Sequence, residues 1–171
     1  MNKIELESLG LKTFTEQDTL DYCSINNLNP NSIIALRLNY NNLKDISGIK
    51  LFKNLKALYL QGNKLTDISG IKLFKNLEYL NIEYNKITDI IILKNLKKLE
   101  ILYLQNNQIT DISVIKYLTE LQSLSITNLE LKSDQIQYIK SLKKLKTLWC
   151  HYGFKDMSVL DQINKNIEKY Y

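Results

Sequence analysis

The sequence predicts an α/β solenoid, in which short parallel strands build one concave sheet, short helical or 3₁₀ segments form the convex side, and helices close both ends. Three observations point there. The stretch LKALYLQGNKLTDISGIKLFKN from Leu55 reads again, with changes, at Ile33, Leu77, Leu99 and Leu121, a constant 22 residues apart; a fixed period of this length is the mark of stacked repeats. Within a copy, Leu58 and Leu60 alternate with Ala57, Tyr59 and Gln61, the two-residue rhythm of a strand with one face buried. Beyond the strand, Leu65, Ile68, Ile71 and Phe74 are apolar groups that one short coil cannot bury alone and that stacked coils bury together.

Residues 1–32 are expected to cap the open end of the stack, as terminal units must. Leu6, Leu9 and Leu11 follow the L-x-x-L-x-L spacing and predict an atypical first strand. Thr15-Glu16-Gln17-Asp18 then supplies a helix start, a capping side chain followed by acids, with Leu20, Cys23 and Leu28 as its core-facing groups. Asn29-Pro30-Asn31 ends the cap with turn chemistry.

Residues 33–144 hold the repeats. Asn63, with Asn41, Asn85 and Asn107 at equivalent positions, falls where the chain leaves the strand among backbone groups that no ladder pairs. A primary amide carries both donors and an acceptor, so these four are read as a structural ladder tying neighbouring coils. Asp45, Asp67, Asp89 and Asp111 recur before an isoleucine and are read as turn residues that accept from following backbone N–H groups. The coil from Leu121 departs from the pattern: it runs 24 residues to Leu145, carries Leu129 in place of the asparagine, and places Ile136, Ile139 and Leu142 at helical spacing between Ser133 and Lys144. Residues 145–171 comprise a last repeat, LKTLWCHYGF, and a segment from Asp156 to Tyr170 whose Leu160, Ile163 and Ile167 predict an amphipathic capping helix.

The pattern L-x-x-L-x-L-x-x-N-x-[LI]-x-D-I resembles the 22-residue subfamily of leucine-rich repeats, which includes the bacterial internalins and the eukaryotic phosphatase-regulating repeat proteins. Four copies from Ile33 to Glu120 match closely and two more match loosely. The resemblance implies a right-handed leucine-rich repeat solenoid and a scaffold that binds proteins. It does not name a partner.

Composition narrows the classes. At 171 residues, with one proline and 5 glycines, the chain reads as a single domain without a flexible linker. No apolar run reaches membrane-span length, and MNKIELESLG is not a signal peptide. Cys23 and Cys150 fit neither a metal spacing nor a disulfide framework, so a cytoplasmic setting is expected. The net charge of +5 rests on lysine, Arg37 being the only arginine. The convex lysines, among them Lys72, Lys75, Lys94 and Lys97, are read first as a solvated face; a nucleic-acid or anionic-surface footprint is the alternative. No phosphate loop, metal-ligand cluster or paired carboxylates stand out, and Cys150 points away from His151, the only histidine. No cofactor and no enzyme activity are expected.

Function is expected on the concave face. Its middle column is Arg37, Tyr59, Asn81, Tyr103, Ser125 and Trp149, with Tyr79 beside it and Glu83, His151, Tyr40, Tyr84 and Tyr152 at its far edge. Filling the core needs none of these. Tyrosine and tryptophan dominate interface hot spots, so the predicted anchors for a protein partner are Tyr40, Tyr59, Tyr79, Tyr84, Tyr103, Trp149 and Tyr152, with Arg37, Glu83 and His151 as polar contacts. The competing reading is that tyrosines stack on one another along the sheet and only cover backbone. A free chain is expected to be monomeric. A secreted, internalin-like adhesion module is a further alternative.

Overall fold

The computed structural model describes residues 3–5 and 13–171. Among the described residues, eight strands pair in sequence order into one parallel sheet: β1 (Lys3–Glu5), β2 (Ala35–Arg37), β3 (Ala57–Tyr59), β4 (Tyr79–Asn81), β5 (Ile101–Tyr103), β6 (Ser123–Ser125), β7 (Thr147–Trp149) and β8 (Glu168–Tyr170). From β2 to β6 the register advances one repeat per strand, so that Leu36, Leu58, Leu80, Leu102 and Leu124 form one column. Every leucine of that column is fully buried, as are Leu65, Ile71 and Phe74 and their counterparts in the neighbouring coils. The sequence thus folds as the 22-residue period requires: one continuous apolar core between the sheet and the returning segments.

The returning segments are 3₁₀ helices, Ser47–Leu51, Ser69–Leu73, Ile91–Asn95 and Ser113–Tyr117. Each is opened by its aspartate. Asp45, Asp67, Asp89 and Asp111 accept, through Oδ1, from the N–H two residues on, at 2.7–2.9 Å. On the other side of each coil the asparagines close the turn. Asn63 Oδ1 accepts from the N–H groups of Asn41 (3.1 Å) and Leu43 (2.9 Å), while its Nδ2 donates to the carbonyls of Leu38 and Leu60 (2.8 Å each). Asn85 and Asn107 repeat the arrangement one and two coils on. At Leu129 the amides give way to direct backbone bonds, Glu130 N–H to Tyr152 O (3.1 Å) and Leu131 N–H to Gly153 O (2.8 Å).

Three expectations at the ends need correction. The first strand exists, but β1 pairs Ile4 with Leu36, so it lies earlier than the Leu6, Leu9 and Leu11 spacing implied; those leucines fall outside the described residues. Helix α1 (Glu16–Ile25) starts at Thr15 with a reciprocal cap, Asp18 N–H donating to Thr15 Oγ1 (3.3 Å) and Thr15 N–H to Asp18 Oδ2 (2.7 Å). Its buried face is Thr19 and Cys23, however, and Leu20 is exposed. Thr19 Oγ1 donates to Gly48 O at 3.1 Å, an approach between helix and repeat backbone too close for a leucine.

At the other end, Asp156–Tyr170 is not a helix. A 3₁₀ turn (Met157–Gln162) is followed at Ile163 by extended backbone, and Asn164 Oδ1 accepts from Asn166 N–H in a local turn that competes with helix. The chain then adds β8 to the sheet. Leu160, Ile163 and Ile167 are buried as expected. The inward position of β8 is Lys169, whose ammonium donates to Leu160 O at 3.3 Å. An inward lysine on a terminal strand discourages edge-to-edge pairing. The helix expected over 133–144 is shorter than its apolar spacing suggested, a 3₁₀ turn (Ser133–Gln135) leading into α2 (Ile136–Lys140), with Ile136, Ile139 and Leu142 buried.

Candidate functional site on the outward face of the sheet

Residues that point away from the core on β2 to β7 share one surface, and they are not independent of one another. Tyr59 and Tyr79 lie with ring centroids 4.5 Å apart, Tyr79 and Tyr103 meet edge-on at 5.8 Å, Tyr103 and Trp149 edge-on at 5.6 Å, and Trp149 and Tyr170 stack at 5.5 Å. Arg37 ends the row, its guanidinium carbon 3.8 Å from the Tyr59 ring centre. The result is a ladder of five rings and one cation running from β2 to β8. Edge-to-face and offset contacts of this kind stabilise beyond the area they cover.

Smaller residues lie beneath the rings. Asn81 and Ser125, which share the middle column with Tyr59, Tyr103 and Trp149, are buried. Burial pushes the Tyr79 phenol up to about 12, with Tyr103, Tyr59 and Glu83 adding to the rise and a bond to Asn81 opposing it. Between Tyr103 and Trp149 a depression of about 260 Å³ is walled by Tyr84, Gln105, Ser125 and Thr127. Tyr103, Tyr59, Tyr79, Trp149 and Arg37 are therefore half-buried by one another, as the stacking alternative supposed, while remaining on the open face.

Tyr40, Tyr84 and Tyr152 differ. Each follows a strand at a position with positive φ, 57°, 53° and 48°, which the intervening coils fill with Gly62, Asn106 and Asn128. The left-handed region favours Gly and Asn and strains a bulky side chain. All three rings are exposed, at 63%, 54% and 61%. Tyr40 lies over the next coil's Gly62, where a Cβ would come within 2.2 Å of Tyr40 Cδ1. Tyr152 meets the exposed His151 ring at 4.1 Å.

Glu83, counted among surface contacts in the sequence, is 8% exposed. Its Oε1 accepts from Asn81 Nδ2 at 3.0 Å, and its Oε2 accepts from Gln105 Nε2. Tyr170 was missed because it was assigned to a helix. Counting one 22-residue period on from Leu145 reaches Ile167 and flags a strand, but β8 pairs 21 residues on, Leu148 with Lys169, so the count alone would have turned Tyr170 inward.

On the opposite side, several lysines already have protein partners. Lys50 pairs with Glu16 and Lys144 with Glu120 (2.6 Å), Lys98 donates to Asn76 (2.8 Å), and Lys97 and Lys116 lie 5.0 and 5.1 Å from the Tyr117 ring centre. Among the described residues no helix is long and apolar enough to cross a membrane.

The family model "Leucine Rich repeats (2 copies)" matches residues 32–73 and 75–117. The fold is similar to internalin C2 of Listeria monocytogenes, with TM-score 0.79 and 29% identity over 98% of this chain and 69% of that one. It is also similar to another L. monocytogenes internalin, inlF (TM-score 0.69, 30% identity, 85% of this chain and 49% of that one). A leucine-rich repeat protein of Leptospira interrogans aligns with TM-score 0.68 and 25% identity over 86% of this chain and 42% of that one. No curated protein matches the sequence. With the period, the sheet register, the asparagine ladder and these likenesses in agreement, the chain is a leucine-rich repeat protein of the internalin-like type.

Proposed function

We propose that this chain is a non-catalytic binding module that holds a protein partner against the concave, outward face of its sheet. It acts by occupancy, as an adaptor, a regulatory subunit or an inhibitor, in a reducing compartment where Cys23 and Cys150 stay as free, buried thiols. The observation that carries this reading is the set Tyr40, Tyr84 and Tyr152. The half-buried ladder has a folding reason, since its rings stabilise one another. The three left-handed tyrosines hold most of their surface in water at a backbone position that glycine or asparagine fills at lower cost. Strain kept at an exposed aromatic position is the kind of feature that function explains better than folding. Together with the ladder they form an aromatic surface of the composition that dominates protein interfaces.

The test is photo-cross-linking in the cell with benzoyl-phenylalanine placed at Tyr84 or, as a control, at Lys75. A discrete covalent adduct from position 84, absent from position 75, is the expected result. Adducts from position 75 alone, or none from 84, would refute the reading.

A further inference from the structure

Glu83 is a buried carboxylate on the outward side of the sheet. It lies in a column with Gln61 and Gln105 on the coils to either side, and its partners are two side-chain amides. Among the described residues no lysine, arginine or histidine pairs with it, although buried charges in folded chains are normally paired. Gln105 Oε1 is itself buried without a hydrogen-bond partner. Both carboxylate oxygens accept from amide N–H groups, so a glutamine at 83 would keep its acceptor for Asn81 and meet Gln105 only if the Gln105 amide turned over to present its orphan oxygen.

We infer that Glu83 receives a basic side chain, arginine or lysine, of the protein partner, which reaches it past Gln105, the residue that both bonds Glu83 and lines the depression between Tyr103 and Trp149. This rests on the partner-binding reading above and adds the chemistry of what is bound. Three features favour a cation over an acid or a purely apolar group. The carboxylate has already been stripped of most of its water, so an incoming cation meets a preorganised and weakly screened charge. Each of its oxygens keeps a second acceptor position, which suits the fork of a guanidinium or the three donors of an ammonium. The same face already stacks a guanidinium on a ring, Arg37 on Tyr59, and Tyr84, Tyr103 and Trp149 offer equivalent ring surface around the depression. An acidic group there would face Glu83 at close range without compensation.

The experiment uses a displayed library of random peptides about a dozen residues long, selected on the full chain, with the selected peptides then titrated calorimetrically against wild type, Glu83→Gln and the Tyr103→Ala/Trp149→Ala double variant. The inference predicts that selected peptides share an arginine or lysine. Replacing it with norleucine, or Glu83 with Gln, should weaken binding roughly tenfold to a hundredfold, the range for losing a hydrogen bond to a charged group. Combining the two changes should cost little more than either alone. A cooperative thermal transition of Glu83→Gln well above the titration temperature separates this loss from misfolding. Peptides without basic residues, or bound equally by Glu83→Gln, yet lost in the double variant, would overturn the basic side chain and leave the aromatic face standing. Peptides bound as well by the double variant, or no peptides at all, would overturn both.

Discussion

Asn85 shows how much of one coil can depend on a single amide. Its Nδ2 donates to the carbonyls of Leu60, Ile82 and Glu83 at 3.0–3.1 Å, and its Oδ1 accepts from Leu65 N–H at 3.0 Å. Asn85→Ala strands buried backbone groups in two coils and should cost on the order of 1–3 kcal/mol, read from the urea midpoint. Tyr79 gives a second prediction at this scale. Burial raises its phenol from 10.0 to about 12, so the folded state holds that proton more tightly than the unfolded chain. Its contribution to stability is complete below pH 10 and is lost as pH rises through about 12; Cys150, raised by burial to about 11, acts in the same direction. Ultraviolet difference titration of wild type and Tyr79→Phe should show the highest tyrosine step disappear, and a step that persists would contradict the ring packing. The roles of Asn85 and the aspartates were legible because they follow from donors and acceptors at fixed offsets. The burial of Glu83 was not, since it depends on two amides, Asn81 on its own coil and Gln105 on the next.

Among elements, the docking of α1 on the first repeat is the most constrained contact. Gly48 N–H donates to Phe14 O at 2.8 Å, and a Cβ at Gly48 would come within 2.0 Å of Thr15 O. The equivalent Gly70 has only Ile46 O, at 3.8 Å, near the same point. Gly48→Ala should therefore destabilise by about 1–3 kcal/mol, as overpacking against backbone does, while Gly70→Ala should be near neutral; paired thermal melts check both. The helix start at Thr15 was readable from its cap. Its rotation was not, because a bare glycine backbone selected Thr19 over Leu20 for the buried face. The terminal strand β8 was hidden for a related reason. Leu160, Ile163 and Ile167 fit helical spacing, and only the local turn at Asn164 and the open edge of β7 decide for strand.

For the whole molecule, stacking produces more than the sum of its coils. Parallel register turns residues 22 apart into neighbours, so that isolated tyrosines in the sequence become one continuous ladder with Arg37 at one end and Tyr170 at the other. That register was legible from the period alone. The alternation of large rings over buried Asn81 and Ser125 was not, because a column of outward positions does not reveal which members lean over the others. The central claim is that this face, rather than the lysine-bearing side, meets the partner. Its most direct measurement is the affinity of the partner cross-linked at position 84 for three purified chains: wild type, Tyr103→Ala/Trp149→Ala, and Lys72→Glu/Lys75→Glu/Lys94→Glu. Loss of roughly a hundredfold in the aromatic double variant, the scale of hot-spot removal, with near-wild-type affinity in the charge-reversed one, is the predicted result. Unchanged affinity in a folded aromatic variant, with loss on charge reversal and steep weakening by salt, would contradict it.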